Sequence, residues 1–228
     1  MVTHFPGGTA VTGLAVYPWE AEDGRCGGSP HMHLACSEAY VTVSGTGSVQ
    51  TLTAAGLQET PLEAGTVVWF DPGTVHRAVN HGDLKIVVVM QNGGLPEAGD
   101  AVLTFPPEVL ADRATYDRAA SGVVDEESAR RRRDLAVRGF LALAQDGGAL
   151  EAFYRQAVAL VADRVPAWEE RWRNGPGEVV RLTGEHLAAL REGRIEHLLR
   201  AEVRTEGAHS AEERKFGMCG RLDTYPSR

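Results

Sequence analysis

The sequence predicts a mainly β fold with a helical appendage: an antiparallel β-sandwich or barrel, followed by an α-helical C-terminal domain. Three observations carry this. Residues 1 to 95 are rich in Gly, Thr and Val, whereas residues 125 to 205 are rich in Ala, Leu, Arg and Glu, the first set suiting strands and turns and the second helices. Short β-branched and aromatic runs recur through the first half with turn residues between them. No helical pattern separates these runs, which argues against a parallel βαβ sheet.

Taken in order, strands are expected at residues 11–17, 39–44, 48–53, 66–70, 75–80 and 85–91. Gly45-Thr46-Gly47 joins the second and third at hairpin distance, and Asn80-His81-Gly82-Asp83 joins the last two. The barrel therefore spans residues 1–97, and 98–124 is a connecting segment in which Pro107 opens a short helix through Val109 and Leu110. The helical domain covers 125–205. Leu135, Phe140, Leu141 and Leu143 mark a helix that stops at Gly147-Gly148. A second carries Leu150, Phe153, Ala157, Leu160 and Val161 at helical spacing. The third presents Trp168 and Trp172 on one face and ends before Gly175-Pro176. Thr183 is expected to cap a fourth with Leu187 and Leu190, closed by Gly193, and Ile195, Leu198, Leu199 and Val203 to make a fifth. Residues 206–228 form a tail whose stretch from Phe216 to Leu222 is too apolar and Gly-rich for a frayed end, so it is expected to return to the barrel as a strand or lid.

Composition narrows the functional classes. With 43% apolar and 24% charged residues the chain has the balance of an ordinary globular protein. Its apolar runs, such as residues 86–90, fall far short of the roughly 18 residues of a membrane helix, and no basic-then-apolar leader opens the chain. A soluble, cytoplasmic protein with no membrane partner is expected. The net charge of −8 repels a phosphate backbone, so no nucleic-acid partner is expected either. The basic run 130–133 follows Asp125, Glu126 and Glu127 and reads as the solvated side of a helix. Cys26, Cys36 and Cys219 cannot all pair, which suits a reducing compartment.

The chemistry concentrates in Pro30-His31-Met32-His33 and the residues after it. Histidines at i and i+2 of a strand point the same way, so His31 and His33 can reach one ion. Glu38 can return to that ion from the next extended run, and His76, after Pro72-Gly73-Thr74-Val75, offers a third imidazole at the entry to a strand. Three histidines and a carboxylate suit one divalent transition metal ion, zinc, iron, manganese, nickel, cobalt or copper, with positions left open.

In these residues the chain resembles the cupin superfamily, as a single barrel of the cupin_2 type. His31, His33, Glu38 and Gly45 match the spaced positions of the first cupin motif, and Gly65, Gly73, His76 and Asn80 those of the second. Arg25 stands where the first motif has Gly, and Pro72 abuts Gly73 instead of preceding it by two; neither departure touches a ligand. The resemblance covers residues 10 to 95 and implies a double-stranded β-helix jelly roll with the metal inside. On such a barrel, alternation from Glu38 nominates Tyr40 and Thr42 for the pocket wall, with Gln50 from the next strand and Met90 or Gln91 from the last. Tyr40 can exchange a hydrogen bond or proton with a substrate oxygen. Cys36 reads as a buried inert thiol, and Arg77 is expected to point away from the metal and pair at the surface or a subunit contact. His4, His81, His186, His197 and His209 are expected outside the site.

Three functions are compatible with such a site. In a sugar or polyol isomerase or epimerase, the ion acidifies a C–H and Glu38 or Tyr40 shuttles the proton. In a dioxygenase, the same ligands hold a redox metal. The third is a non-enzymatic small-molecule-binding cupin. The polar wall candidates Tyr40, Thr42 and Gln50 lean toward the hydroxylated substrate of the first. A small-molecule substrate and a homodimer are expected, the helical domain closing the barrel mouth or building the dimer interface.

Overall fold

The β-branched runs of the first half assemble with two late segments into one sheet. The computed structural model describes residues 5–207, 209–210 and 212–225, so His4 lies outside the described residues. Among these, the strands are β1 (Ala10–Val16), β2 (His31–His33), β3 (Glu38–Thr53), β4 (Gly56–Glu63), β5 (Val67–Phe70), β6 (Val75–Met90), β7 (Ala101–Leu103), β8 (Lys215–Phe216) and β9 (Gly220–Thr224). They form a single antiparallel sheet with the path β4-β3-β6-β1-β9-β8; β5 joins β3, and β2 lies between β6 and β7. The long antiparallel β3–β6 ribbon, flanked on both sides, gives the sandwich-like sheet that the sequence predicts.

Two expected hairpins are instead bends within long strands. β3 and β6 are each 16 residues and pair from Glu38 opposite Met90 to Leu52 opposite Val75. Gly45-Thr46-Gly47 and His81-Gly82-Asp83 face each other midway, where the register shifts between Thr42 and Gly47, so the ribbon bends without reversing. A Cβ on Gly45, whose φ is +75°, would stand 2.2 Å from the Asp83 carbonyl oxygen, so only glycine fits. Locally such a stretch reads as turn or bulge alike; long-range pairing decides.

The helices are α1 (Pro107–Leu110), α2 (Arg113–Ala120), α3 (Glu126–Gln145), α4 (Ala149–Val161), α5 (Val165–Asn174) and α6 (Pro176–Arg191). A capping box between Asp125 and Ser128 opens α3. Its basic run is only half solvated. Arg133 is 1% exposed and donates to the carbonyls of Trp19 and Glu20, and Arg132 donates to that of Gly217, so the two fasten α3 to the barrel and the tail. Thr183 caps nothing: α6 starts at Pro176, and the Thr183 hydroxyl donates to the Val179 carbonyl at 3.0 Å in mid-helix. The expected fifth helix shrinks to a 3-10 turn at Leu198–Arg200, with Leu198, Leu199 and Val203 exposed. A short helix with no face to bury does not hold.

One buried cluster runs unbroken from Leu14, Val49 and Ile86 in the sheet to Phe140, Phe153 and Trp168 in the helices. The tail enters the sheet, β9 pairing with β1 from Thr12 opposite Thr224 to Val16 opposite Gly220. Arg77 does face away from the metal-ligand candidates, but it is fully buried and meets Asp23 at 2.7 Å inside the chain. Burial of a guanidinium is tolerated there because a carboxylate compensates it. No helix among the described residues is long and apolar enough to cross a membrane.

Candidate metal centre

Sheet pairing assembles the site. β2 places His31 opposite His76 of β6, and Glu38 opens β3 opposite Met90, so ligands distant in sequence meet at one end of the barrel. One ligand atom from each of His31, His33, Glu38 and His76 lies within 4.8 Å of the others, and all four residues are buried. Glu38 Oε2 is 3.0 Å from His76 Nε2 and 3.4 Å from His33 Nε2.

The outer nitrogens fix the tautomers. Nδ1 of His31 faces the Ser29 carbonyl at 2.9 Å, that of His76 the Thr74 carbonyl at 3.0 Å, and that of His33 the Asp100 carboxylate at 2.6 Å. Each partner is an acceptor, so each Nδ1 carries a proton, and a neutral ring then has its Nε2 lone pair to turn inward. His76 Nε2 and Glu38 Oε2 are buried without a well-directed hydrogen bond. Such orphans are uncommon in folded proteins. Converging lone pairs of nitrogen and carboxylate oxygen are what a divalent transition ion needs, and these residues fit one.

Electrostatics separates the ligands. Burial holds His31 well below its ordinary value, with His76 and His33 adding to the effect. Burial also opposes charge on His33, but the Asp100 hydrogen bond and the Glu38 charge outweigh it and raise its pKa. Burial would raise Glu38, yet His76 and His33 hold it below the usual carboxylate range. Asp100 is lowered likewise, its hydrogen bond to His33 overcoming burial.

From this centre a cavity of about 690 Å³ opens along the barrel. Tyr40 and Met90 line it, as alternation predicts, and Leu14, Val88 and Leu222 make its wall apolar. Thr42 and Gln50 are buried but do not line it. Thr42 shares the inward face, but four residues beyond Glu38 is about 13 Å along a strand. Gln50 faces the other way: the bend in β3 shifts the register by one, so Gln50 pairs with Arg77 and its amide donates to Glu59 at 3.1 Å, while Val49 takes the inward face. Cys36 is buried, and burial pushes its thiol far up. His81 and His186 are exposed, and His186 and His197 stack on each other at 4.5 Å; His209, also exposed, departs from expectation by lining the cavity.

Two contributors escape a local reading of the sequence. Asp100 lies in the connecting segment between Gly99 and the apolar β7, and only the pairing of β7 with β2 brings it to His33. Met218, Cys219 and Leu222 join the cavity wall from the tail. The apolar, Gly-rich stretch 216–222 is the one signal that points to them.

Residues 19–90 match the family model described as Cupin domain. No curated protein matches the chain at a significant level. Among solved structures, an uncharacterized conserved protein with a double-stranded β-helix domain from Klebsiella pneumoniae subsp. pneumoniae MGH 78578 is 23% identical, over 38% of this chain and 69% of its own, at a TM-score of 0.31. A nucleoside dehydratase from Streptomyces is 17% identical, over 43% of this chain and 70% of its own, at 0.33. A predicted oxalate decarboxylase from Thermotoga maritima is 22% identical, over 36% and 64%, at 0.28.

Proposed function

We propose that this chain, whose residues 19–90 match the Cupin domain model, is a metal-dependent enzyme that oxidises a small molecule with dioxygen, the substrate carrying two chelating oxygens on an apolar body. The observation that carries the reading is the character of the cavity beside the ligands. Its wall of Leu14, Val88, Met90 and Leu222 suits an apolar body better than a sugar, and the polar residues that favoured a polyol, Thr42 and Gln50, lie off it.

The ionisable groups next to the ligands support the same choice. Burial raises the Tyr40 phenol well above its usual value, with the Glu38 charge adding to it, and burial pushes the Cys219 thiol up to about 11. Both shifts disfavour the ionised form that would take a proton from carbon. Glu38, held ionised by His76 and His33, serves as a ligand and not as a proton shuttle. The remaining charged lining residues, Glu97, His209, Glu213 and Lys215, are exposed. An isomerase would have to draw its base from these exposed residues, whereas a chelating enol or catechol brings its own acidic hydroxyl.

His31, His33, Glu38 and His76 would hold the ion, and Tyr40 would donate a hydrogen bond to a substrate oxygen while the apolar wall excludes water. When bound, a redox-active divalent ion supplies the Lewis acidity that ionises a chelated hydroxyl and the electron transfer by which the resulting anion reacts with dioxygen. The test is oxygen uptake by iron-loaded and copper-loaded protein with a catechol, an aliphatic enediol and an aldose. The expected result is stoichiometric uptake with a catechol or enediol. Oxygen-independent interconversion of the aldose would return the chain to the isomerases, and spectral titration without turnover would make it a binding protein.

A further inference from the structure

We infer that Asp100 is a positioning residue for the metal centre and that the helical half of the chain, through α5, holds it on His33. The inference rests on the metal-centre reading above and concerns residues outside the matched segment 19–90.

Asp100 is fully buried, and among the described residues its one ionic partner is His33, at 2.6 Å. Its other oxygen accepts the Ala35 amide at 3.3 Å. His31 and His76 donate to neutral carbonyls, so His33 alone makes a charge-assisted hydrogen bond, which fixes the ring and raises the basicity of its inner nitrogen. Charge balance points the same way. Three neutral imidazoles and Glu38 leave a buried divalent ion with one uncompensated positive charge, and an isolated buried charge is costly. Asp100 supplies the second negative charge without occupying a coordination position.

The chain presents Asp100 from a short turn. Pro96–Ala98 forms a 3-10 turn, Gly99 follows in the left-handed conformation with φ of +84°, and the Leu34 amide donates to the Asp100 carbonyl at 3.2 Å. Directly afterwards Ala101 pairs with His33 in the sheet. From outside, α5 clamps this turn at consecutive carbonyls. Trp168, 7% exposed, donates its indole N–H to Ala98 at 3.2 Å, and Arg164, just ahead of α5, donates to Gly99 at 3.5 Å. From the indole of α5 to His33 the path is therefore one turn and one carboxylate.

The test is zinc affinity of the full chain, measured by competition with a chromophoric chelator, for wild type, Asp100→Asn, Trp168→Phe and the double variant. Asp100→Asn should bind zinc about 10- to 100-fold more weakly. Trp168→Phe keeps an aromatic ring but loses the donor and should bind about threefold more weakly. In the double variant the Trp168 effect should vanish, because it acts only through Asp100. Wild-type affinity in Asp100→Asn would overturn the inference, and losses that multiply in the double variant would break the link to α5. Should Asp100→Asn fail to fold, proton NMR of the zinc-loaded wild type decides: the His33 Nδ1 proton should lie downfield of those of His31 and His76, and three equivalent protons would overturn the assignment. Wild-type protein that takes up no zinc would remove the metal-centre reading itself.

Discussion

Three imidazoles meet in one buried space, yet their surroundings pull their proton affinities apart. Burial lowers His31, so the stability it contributes is present above its ordinary value of 6.5 and is lost as pH falls through its depressed folded value. His33 is raised against burial by Asp100 and Glu38, so its contribution is full below 6.5 and is lost as pH rises through its folded value. Glu38 and Asp100, both lowered against burial by their imidazole neighbours, lose their contributions only at still lower pH, below their ordinary 4.5 and 3.8. Metal-free protein should therefore have its highest melting temperature near about pH 6.5 and lose stability on both sides. With zinc bound, the ion replaces the His33 proton and the alkaline decline should disappear. Thermal melts across pH with and without zinc check this; a metal-free melting temperature still rising through about pH 8 would contradict the assigned environments. At this scale the ligands were legible because their spacing is local: His31 and His33 on one strand, Glu38 at the start of the next. Asp100 was not, because nothing beside it in sequence marks it as a partner of an imidazole.

Alternation along β3 was a sound guide until the strand bent. Glu38 and Tyr40 face inward as expected, and Gln50 does not, because the shifted register between Thr42 and Gly47 exchanges the two faces. Glycine spacing showed where the chain departs from a regular strand but not whether it turns back or bends through, since that depends on what the opposite strand does. The same limit applies to helices. Gly139 sits inside α3, where Ala is favoured by about 1 kcal/mol on propensity alone. A Cβ there would stand 1.9 Å from the Thr104 carbonyl oxygen, in the stretch where α3 crosses the end of β7 and the Thr104 hydroxyl donates to Ala136 at 2.8 Å. Overpacking costs about 1–3 kcal/mol, and toward the upper end when the obstacle is backbone, so the clash wins. Gly139→Ala should lower the melting temperature by several degrees, at roughly 2–4 °C per kcal/mol for a chain of this size. An unchanged or higher value would mean that α3 is not seated against β7.

Across the whole molecule, the division between a β half and a helical half was written in composition, and most helix boundaries followed from Gly and Pro. What composition could not convey is how far the two halves share one interior. Leu14 and Ile86 belong to the same buried cluster as Phe140 and Trp168, and the tail supplies Cys219 and Leu222 to the cavity. Those contacts join residues far apart in sequence, which no periodicity records. The chemistry of the site depends on the ion that His31, His33, Glu38 and His76 are arranged to hold. The most direct measurement is the metal content of wild-type protein, His33→Ala and His76→Ala, each purified without chelator and incubated with divalent transition ions. One ion per chain is expected in the wild type and loss of most of it in each variant; full occupancy in both variants, or a wild type that stays metal-free, would refute the metal centre.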